Sequence, residues 1–520
     1  MSGTTIGHRR WLALGAIVLS SLVLGLDSTI LVTALPTLYL QLGASTDQLQ
    51  WVSSAYMLAM AGLLIPAGAL GDRLGRKRTL VIALAVFGMA SVTASQMSSA
   101  GGLVLMRAVM GAGAAFIMPI SLAVLPTIFS ELERPRAIAI GGAAMFLGLP
   151  FGPFVAAFLL NHYAWGSIFL INGPVVVAAL LGVWLFIPES RDPNPPRLDV
   201  IGAALAIAGV AGLVYGAIEQ PSRGWSDPTV FGAIVAGAAL IAAFVRWELR
   251  ARSPMVDMHL FANSRFSWAI AVSVVMSFTL MGVLFVFTPF LQFVQGNDAQ
   301  GTALRLMPLI GGIVGGAAVS DRVVRRLGAR TALCVGLVVC AAGAALMSIL
   351  GARSGFGVLA FALPVVGIGN ALALFTALNV ILDELPRSRF ATGTALSRSL
   401  AQVGGAFGVA ILGSLLNSVY RASVSGRLTG LPAWIVEAAE RSLAGAAFAA
   451  FTMPTSEGAT FMAAARDAYT AGMSDVLRLS ALVMIVVAVL VGRFMGGPDS
   501  AYDHRREPSA ARPNAHAPAQ

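Results

Sequence analysis

The stretch Gly68-Ala-Leu-Gly-Asp-Arg-Leu-Gly-Arg-Lys-Arg-Thr-Leu80 joins two long apolar runs in the first half of the 520-residue chain. In the second half, another apolar run leads into Ser320-Asp-Arg-Val-Val-Arg-Arg-Leu-Gly-Ala-Arg330, which repeats the Asp-Arg pair and the basic residues after it. The loops 131–136 and 383–389 also resemble each other, and they are separated by a similar number of residues as the two Asp-Arg pairs. Loops that recur in the same order predict two parallel repeats of one helical plan.

Composition identifies the environment of the apolar runs. Hydrophobic residues make up 57% of the chain and charged residues 11%, with a mean hydropathy of +0.81. Soluble domains carry about 25% charged residues, so a soluble fold is excluded. A helix needs roughly 20 apolar residues to cross a bilayer. Fourteen such spans are predicted, near 12–36, 49–70, 79–97, 102–129, 137–160, 165–187, 200–218, 229–247, 267–294, 302–319, 331–350, 356–382, 393–417 and 477–495. The fold class is therefore an all-α polytopic membrane protein.

Basic residues predict the orientation of these spans. Short cytoplasmic loops collect Lys and Arg, and alternate loops that include the N-terminus hold 24 of the 34 basic residues. Both termini are therefore predicted to be cytoplasmic. The net charge of +10 follows the membrane face, and no soluble basic domain accompanies it, so nucleic acid is not an expected partner.

The repeats divide the chain into predicted regions. These are an N-terminal six-helix half at 1–190, two inserted helices with linkers at 191–265, a C-terminal six-helix half at 266–497, and a disordered cytoplasmic tail at 498–520. The C-terminal half contains a long extracellular loop at 418–476. Its Ala-rich piece 433–450 carries Glu437, Glu440 and Arg441 and follows Pro432, so a surface helix is expected there.

Asp27 lies deep inside the first predicted span. Inserting an ionised Asp at a helix centre costs about 2.5–3.5 kcal/mol. The side chain is therefore expected to be paired, protonated for part of the time, or turned toward a water-filled cavity. Each option predicts a role in proton or ion handling.

Several motifs resemble those of the major facilitator superfamily. The stretch 68–80 matches its loop motif nearly position for position, and Leu26-Asp-Ser-Thr-Ile-Leu-Val-Thr-Ala-Leu-Pro36 looks like the signature of its fourteen-span drug:proton antiporters. Further matches are Arg107-Ala-Val-Met-Gly-Ala-Gly-Ala-Ala115, Ile168-Phe-Leu-Ile-Asn-Gly-Pro174 and Gln402-Val-Gly-Gly-Ala-Phe-Gly-Val-Ala410. The resemblance implies a major facilitator fold of two six-helix halves plus two extra central helices, and proton-driven export of small amphipathic compounds such as drugs and antibiotics.

The resemblance implies that Asp27 and Arg107 couple transport to protons, and the electrostatics agree because a nearby cation favours an ionised carboxylate. A static ion pair that only fixes helix packing is the alternative. In the loop, Gly68 and Gly75 can allow close backbone approach, and Asp72 can accept hydrogen bonds from the N-terminus of a neighbouring helix. Arg73 and Arg76 can clamp carboxylates across the loop. A conformational latch is predicted at Gly68, Asp72, Arg73, Gly75 and Arg76, with a simple basic anchoring loop as the alternative.

Two further features concern the direction of transport and the substrate. Gly148, Gly152 and Pro153 in span 5 resemble the motif associated with antiporters, although Ala156 and Ala157 stand where two glycines are usual. In span 13, multidrug members of the family carry acidic residues, whereas this chain has Arg398 and Gln402. These two residues are candidates for the substrate cavity, and Arg398 suits an anionic or zwitterionic ligand.

Other classes of function fit less well. No histidine lies within a span, and the His-Glu-x-x-His and Gly-Lys-Ser/Thr motifs are absent, so neither an enzyme, a metal site nor ATP-driven transport is expected. A proton-coupled importer and a non-transporting receptor or scaffold remain as alternatives. The expected partners are a small-molecule substrate, protons and the lipid bilayer. A monomer in the cell membrane without a cofactor is expected.

Overall fold

The computed structural model describes residues 3–130, 133–191, 199–251, 254, 256, 258–352, 354–385, 390–425, 436, 439–440, 443–453 and 455–496. These residues form helices and connecting turns and contain no β-strand. The predicted tail 498–520, the Pro-rich linker at 193–196 and the loop positions 386–389 lie outside the described residues.

The described residues of the first half form seven helices. They are α1 (Gly3–Leu42), α2 (Thr46–Leu74), α3 (Arg76–Ala94), α4 (Ala100–Ile128), α5 (Arg134–His162), the short α6 (Ser167–Leu170) and α7 (Asn172–Phe186). Side chains explain where several helices begin: Ser45 accepts a hydrogen bond from the backbone N–H of Gln48 in a complete capping box, and Ser99 caps α4.

Two helices follow, α8 (Val200–Arg223) and α9 (Pro228–Glu248), and then a 3-10 turn at Met258–Ala262. The second half contains α10 (Ser264–Pro289) with a π-helical turn at Phe290–Val294, α11 (Ala299–Leu327), α12 (Ala329–Met347), α13 (Phe356–Asp383), α14 (Phe390–Ser425), α15 (Leu443–Thr452) and α16 (Thr455–Phe494).

Helix pairings in the first half recur in the second. α1 packs on α5 as α10 packs on α14, α2 packs on α4 as α11 packs on α13, and α3 packs on α4 as α12 packs on α13. The two halves meet where α2 contacts α14 and α5 contacts α11. Gly75 and Gly328, at the equivalent turns after α2 and α11, both have positive φ, of 106° and 78°. The duplicated loops thus adopt similar turns.

The inserted pair lies over one of the two seams between the halves. α8 packs against both α2 and α14, and the Ser414 hydroxyl donates to the Ala217 carbonyl at 2.7 Å. α9 packs on α8 and exposes most of its other side chains.

Each of the fourteen predicted spans falls on a helix of the described residues. Twelve helices in this part of the chain are long and apolar enough to cross a membrane, or thirteen if the segments Thr46–Leu64 and Pro66–Leu74 count as one bent span. The span predicted at 137–160 lies in α5, where only the shorter apolar piece Phe151–His162 is counted. The predicted all-α fold is confirmed. The predicted count of fourteen spans is close to the twelve or thirteen of the described residues but is not confirmed.

The predicted long loop 418–476 is mostly helical. α14 continues to Ser425, and α16 begins at Thr455, well before the expected start of the last span at 477. Hydropathy identifies only the part of a helix that crosses the lipid. Because alanine has a high helix propensity, an Ala-rich sequence can continue the helix beyond that part. Within the piece 433–450, the described helix α15 packs against α16, and its Leu443, Ala446 and Ala449 are fully or nearly fully buried.

Candidate functional site

Asp27 and Arg107 lie in contact inside the first half. Arg107 Nη1 donates to Asp27 Oδ2 at 2.8 Å, and the two residues are 0% and 2% exposed. Arg107 Nε also donates to the Val52 carbonyl at 3.3 Å, and its guanidinium carbon lies 4.2 Å from the centre of the Tyr56 ring. α2 and α4 thus hold the cation in a fixed position beside the acid on α1.

The second oxygen of Asp27 is held by a residue that the sequence did not single out. Asn172 Nδ2 lies 3.3 Å from Asp27 Oδ1 and 3.0 Å from Ser91 Oγ, and Ser91 in turn donates to the Phe169 carbonyl at 2.8 Å. Asn172 is the first residue of α7 and is 1% exposed. The sequence did contain a signal for Asn172: it is a polar amide inside an apolar span, and it lies within the motif 168–174.

The motif in α5 packs directly against the segment of α1 that carries Asp27. A Cβ placed on Gly148 would lie 2.6 Å from the Leu22 carbonyl oxygen and 2.7 Å from the Leu26 nitrogen. A Cβ on Gly152 would lie 2.9 Å from the Leu26 carbonyl oxygen, and Pro153 beside it is buried. The two glycines therefore let the two backbones approach closely at the level of the acid. Ala156 and Ala157, one turn later, are also buried.

A central cavity of about 230 Å³ lies between the two halves. Arg107 forms part of its wall, and the predicted residues Arg398 and Gln402 line it from α14. Gln402 Nε2 lies 3.2 Å from the Met60 sulfur on α2. The structure thus brings Arg107, Arg398 and Gln402 to one cavity, with Asp27 directly behind Arg107.

We call the end of the bundle where α1 ends and α2 begins the outer end, and the opposite one the inner end. Several hydrogen bonds join the halves near the outer end: Gln292 Nε2 to the Thr33 carbonyl at 3.1 Å, Gln50 Nε2 to the Val409 carbonyl at 3.3 Å, and Asn161 Nδ2 to Asp298 Oδ2 at 3.4 Å. At the inner end, Arg10–Glu133 and Arg265–Glu384 are ion pairs within one half each. The halves are thus held together at the outer end.

A larger cleft of about 440 Å³ also lies at the outer end, lined by polar and charged residues that include Asp47, Arg421 and Glu440. It does not reach the Asp27–Arg107 pair. The central cavity is the better candidate site because it lies between the halves and contacts the buried ion pair.

The predicted latch loop is organised differently from the expectation. Glu189, which follows α7, receives the backbone N–H groups of Lys77 and Arg78 at 3.2 Å each, so its carboxylate lies at the N-terminus of α3. Asp72, which was expected to accept such hydrogen bonds, instead pairs with Arg76 at 2.8 Å within the loop.

Three latch residues remain to be placed. A Cβ on Gly75, with its positive φ, would meet the Glu189 carboxylate at 2.6 Å, which explains glycine there. The expected close approach at Gly68 is wrong for the described residues, since none of their atoms lies within 4 Å of a Cβ built there. Arg73 is exposed, and its expected clamping of a carboxylate across the loop stays a prediction.

Two equivalent helical halves, a cavity between them and a buried ion pair in its wall define an integral membrane secondary transporter, not an enzyme. In the described residues, no group of three or more His, Cys, Asp or Glu side chains could hold a metal ion. The chain belongs to the Major Facilitator Superfamily, whose family model matches residues 17–409.

Relatives and structures agree with this assignment. The chain is 33% identical over 411 residues to the Tetracenomycin C resistance and export protein of Streptomyces glaucescens, covering 79% of this chain and 76% of that protein. It is 29% identical over 493 residues to the Multidrug efflux pump LfrA of Mycolicibacterium smegmatis, covering 94% and 97%. A bacterial homologue of the human lysosomal transporter Spinster, solved inward-facing and unoccupied, has the same fold with a TM-score of 0.69, 16% identity and coverage of 94% and 99%.

Proposed function

We propose that this chain exports small amphipathic compounds in exchange for external protons. The observation that carries the proposal is the buried Arg107–Asp27 pair, 2.8 Å long, in the wall of the cavity between the halves. Ionisable residues inside a membrane protein are expensive to bury and usually mark an ion pathway. The cavity provides a substrate site, and the adjacent carboxylate provides a group that can carry a proton.

The charge of Asp27 links proton binding to substrate movement in this mechanism. While Asp27 is ionised, Arg107 and Asn172 hold its two oxygens, and the substrate enters the cavity from the cytoplasm or inner leaflet. A proton arriving from outside neutralises Asp27 and weakens its attraction to Arg107 as the substrate leaves. Release of that proton inside restores the ion pair, and the halves rock back around the cavity.

Export is favoured over the two alternatives left open by the sequence. Two relatives of this chain are named for resistance and export and for multidrug efflux, and each match covers more than three quarters of the chain. An importer or a receptor would not be expected among them. The close packing of Gly148 and Gly152 on α1 fits the same direction, because the sequence motif they form is the one associated with antiporters.

The loop between α2 and α3 acts in this proposal as a conformational latch. Glu189 ties the start of α3 to the end of α7, and Arg76 with Asp72 closes the loop on itself. A carboxylate at a helix N-terminus stabilises it by roughly 0.3–1 kcal/mol. Contacts of this size can form and break during a transport cycle.

The remaining parts of the proposal concern energy, partners and location. The proton gradient supplies the energy and no cofactor takes part. The working unit is a monomer in the cell membrane, with both termini in the cytoplasm and no nucleic-acid partner. The distribution of basic residues supports this orientation.

Accumulation assays test the function directly. The chain is expressed in an efflux-deficient bacterial host, and retention of chemically diverse antibiotics and dyes is compared with that in cells carrying the Asp27→Asn variant at equal membrane abundance. We expect at least one compound to be expelled by the wild type, and the expulsion to stop when a protonophore collapses the gradient. If no compound is expelled, or if expulsion survives the protonophore, proton-driven export is rejected.

A further inference from the structure

We propose that the exported compound occupies a second site on its way out, an aromatic pocket at the outer end of the bundle, and that Phe285 separates this pocket from the central cavity. This inference rests on the proposed export function and deepens it, because it assigns an exit site and an aromatic class of compound. It is carried by three spaces that follow one another along the same helices.

Phe285 lies in the wall of two of these spaces. It lines the central cavity of about 230 Å³ and also a pocket of about 50 Å³ nearer the outer end, which we call the outer pocket. Asn417 in turn lines both the outer pocket and the polar cleft of about 440 Å³, which we call the outer cleft. The central cavity, the outer pocket and the outer cleft therefore form a row in which neighbouring spaces share a wall residue.

The row follows α14 toward the outer end. On this helix, Gln402 and Val409 line the central cavity, and Leu416 and Tyr420 line the outer pocket. Arg421, one residue later, lines the outer cleft. From Gln402 to Arg421 the helix rises roughly 28 Å at 1.5 Å per residue. α1 shows the same order: its residues at the central cavity are Ser28, Leu31 and Val32, and those at the outer pocket are Leu35, Pro36 and Tyr39.

The barrier at Phe285 is closely packed and includes residues of both halves. A Cβ built on Gly413 of α14 would lie 3.0 Å from Phe285 Cε1 and would overlap the Gln50 amide of α2. Gln50 Nε2 also lies 3.3 Å from the Val409 carbonyl oxygen on α14, and Phe285 is 6% exposed. Separation of the halves at the outer end removes Gln50 from this barrier, and the Phe285 ring then has room to turn aside.

Aromatic rings are the main surface that the outer pocket offers to a ligand. The Tyr420 and Tyr469 rings meet edge to face with centroids 6.2 Å apart, and their hydroxyls donate to backbone carbonyls at 3.1 and 2.8 Å. Because these hydroxyls are bound to the backbone, the ring surfaces remain for contact with a ligand. The other aromatic side chains of the lining are Tyr39, Phe285 and Phe293. Since aromatic rings prefer edge-to-face or offset-stacked contacts with other rings, the outer pocket is suited to a planar aromatic compound.

The segment predicted as the loop 418–476 supplies part of this pocket. Leu443 of α15 and Tyr469 of α16 line it together with Tyr420, and Leu443 is 2% exposed. α15 packs against α16 and also contacts α1 of the other half. The helices in this segment thus form one wall of the proposed exit site.

The volume of the outer pocket shows that it is closed in this conformation. Sites for drug-sized ligands measure about 300–1,000 Å³, whereas this pocket measures about 50 Å³. The hydrogen bonds that join the halves here, such as Gln292 to the Thr33 carbonyl at 3.1 Å, hold it in this state. A compound can therefore enter the outer pocket from the central cavity only after Phe285 moves and the outer end opens.

Photo-crosslinking tests whether a compound occupies the outer pocket. The probes are four planar aromatic fluorescent compounds of different charge: ethidium, rhodamine 123, doxorubicin and fluorescein. p-Benzoylphenylalanine replaces Leu443 in the full chain. In a matched control it replaces Trp225, which is 66% exposed in the turn after α8 at the outer end and does not line the outer pocket. Everted membrane vesicles are irradiated with each compound, with and without a pH gradient, and the fluorescence attached to the protein is measured.

With the pH gradient, we expect at least one of the four compounds to attach to position 443 at least about tenfold more than to position 225, a ratio that corresponds to about 1.4 kcal/mol. Without the gradient, attachment at position 443 is expected to fall to the level of the control. Adding Phe285→Ala is expected to remove this dependence on the gradient, because the central cavity and the outer pocket are then joined.

A filled outer pocket gives a second measurement. Leu443→Trp is expected to slow export of the same compound at least about tenfold, while equilibrium binding of the compound to purified protein stays unchanged, because position 443 does not line the central cavity. Leu482→Trp, at a position of α16 that is 58% exposed, is the matched control and should change neither. Equal losses of binding and export by Leu443→Trp would contradict an exit site.

Attachment at position 443 no stronger than at position 225 would overturn the exit site, and unchanged gradient dependence in Phe285→Ala would overturn the role of Phe285. Both results leave proton-driven export intact. If the wild type expels other compounds but none of these four, the aromatic class is wrong while export stands. If it expels no compound at all, the proposed function fails together with this inference. If the chain with the photoreactive residue at position 443 does not reach the membrane, Leu443→Trp decides the question.

Discussion

Single residues around Asp27 set its chemistry. The carboxylate is held at one oxygen by Arg107 and at the other by Asn172, and Ser91 extends this network toward the Phe169 carbonyl. Removing one partner of a buried ion pair typically costs 3–5 kcal/mol, because the other charge is left uncompensated. The network therefore constrains both the position of the acid and the consequences of its protonation.

Asn172→Leu removes the amide that holds Asp27 Oδ1. A hydrogen bond to a charged group contributes about 1.5–3 kcal/mol, so we expect the initial rate of proton-driven transport in proteoliposomes to fall at least about tenfold. Ser91→Ala keeps the Asn172–Asp27 contact and should lose no more than about twofold. Equal rates for Asn172→Leu and the wild type, in protein of unchanged thermal stability, would show that the amide does not position the acid.

Only some residues of this network could be predicted from the sequence. Asp27 and Arg107 could be paired from the resemblance and from their opposite charges, because charged groups in apolar helices are few. Asn172 could not, since a neutral amide in a span is as compatible with ordinary helix packing, and only the fold brings the start of α7 next to α1. Glu189 was missed because sequence does not indicate which loop ends meet.

At the scale of helices, the approach of α5 to α1 depends on the absence of side chains at two positions. Gly148→Ala places a Cβ 2.6 Å from the Leu22 carbonyl oxygen, and overpacking of this kind typically costs about 1–3 kcal/mol. We expect a lower unfolding temperature in detergent and slower transport. Gly15→Ala on α1, where a Cβ meets no described atom within 4 Å, should change neither. A Gly148→Ala protein as stable as the Gly15→Ala control would contradict close packing here.

The start of α3 offers a second test of a single element. Glu189→Ala removes the carboxylate that accepts the N–H groups of Lys77 and Arg78, and loss of a helix cap costs about 0.5–2 kcal/mol. We expect a lower unfolding temperature and slower transport. Asp475→Ala, which removes an exposed acid paired with Arg478, should have a much smaller effect. If both variants behave alike, Glu189 is not part of a latch.

Helix positions were predictable because a long apolar run in a membrane must satisfy its backbone hydrogen bonds internally, and a helix does so. Helix ends were less predictable: α14 and α16 extend well into the loop expected at 418–476, since helical propensity continues where hydropathy falls. The duplicated Asp-Arg loops predicted two halves, and the matching helix pairings and the turns at Gly75 and Gly328 agree with that plan. The position of α8 across the seam was not predictable from sequence.

For the whole molecule, rocking of the halves requires the outer end to open. Asn161 and Asp298 lie on opposite halves at this end, with side-chain atoms 3.4 Å apart. Cysteines at both positions, in a background with Cys334 and Cys340 replaced, can be joined by a short thiol cross-linker. We expect the cross-linked protein to lose transport, whereas each single-cysteine variant treated with the same reagent keeps it. Undiminished transport by fully cross-linked protein would exclude opening at this end.

The central claim is that Asp27 carries the transported proton, and proton flux measures it most directly. Purified wild type, Asp27→Asn and the double variant Asp27→Asn with Arg107→Gln are placed in vesicles containing a pH-sensitive dye, and proton movement is recorded when a transported compound is added. We predict substrate-dependent proton movement for the wild type and none for either variant, even though the double variant no longer buries an uncompensated charge. Wild-type proton movement by folded Asp27→Asn protein would contradict the account.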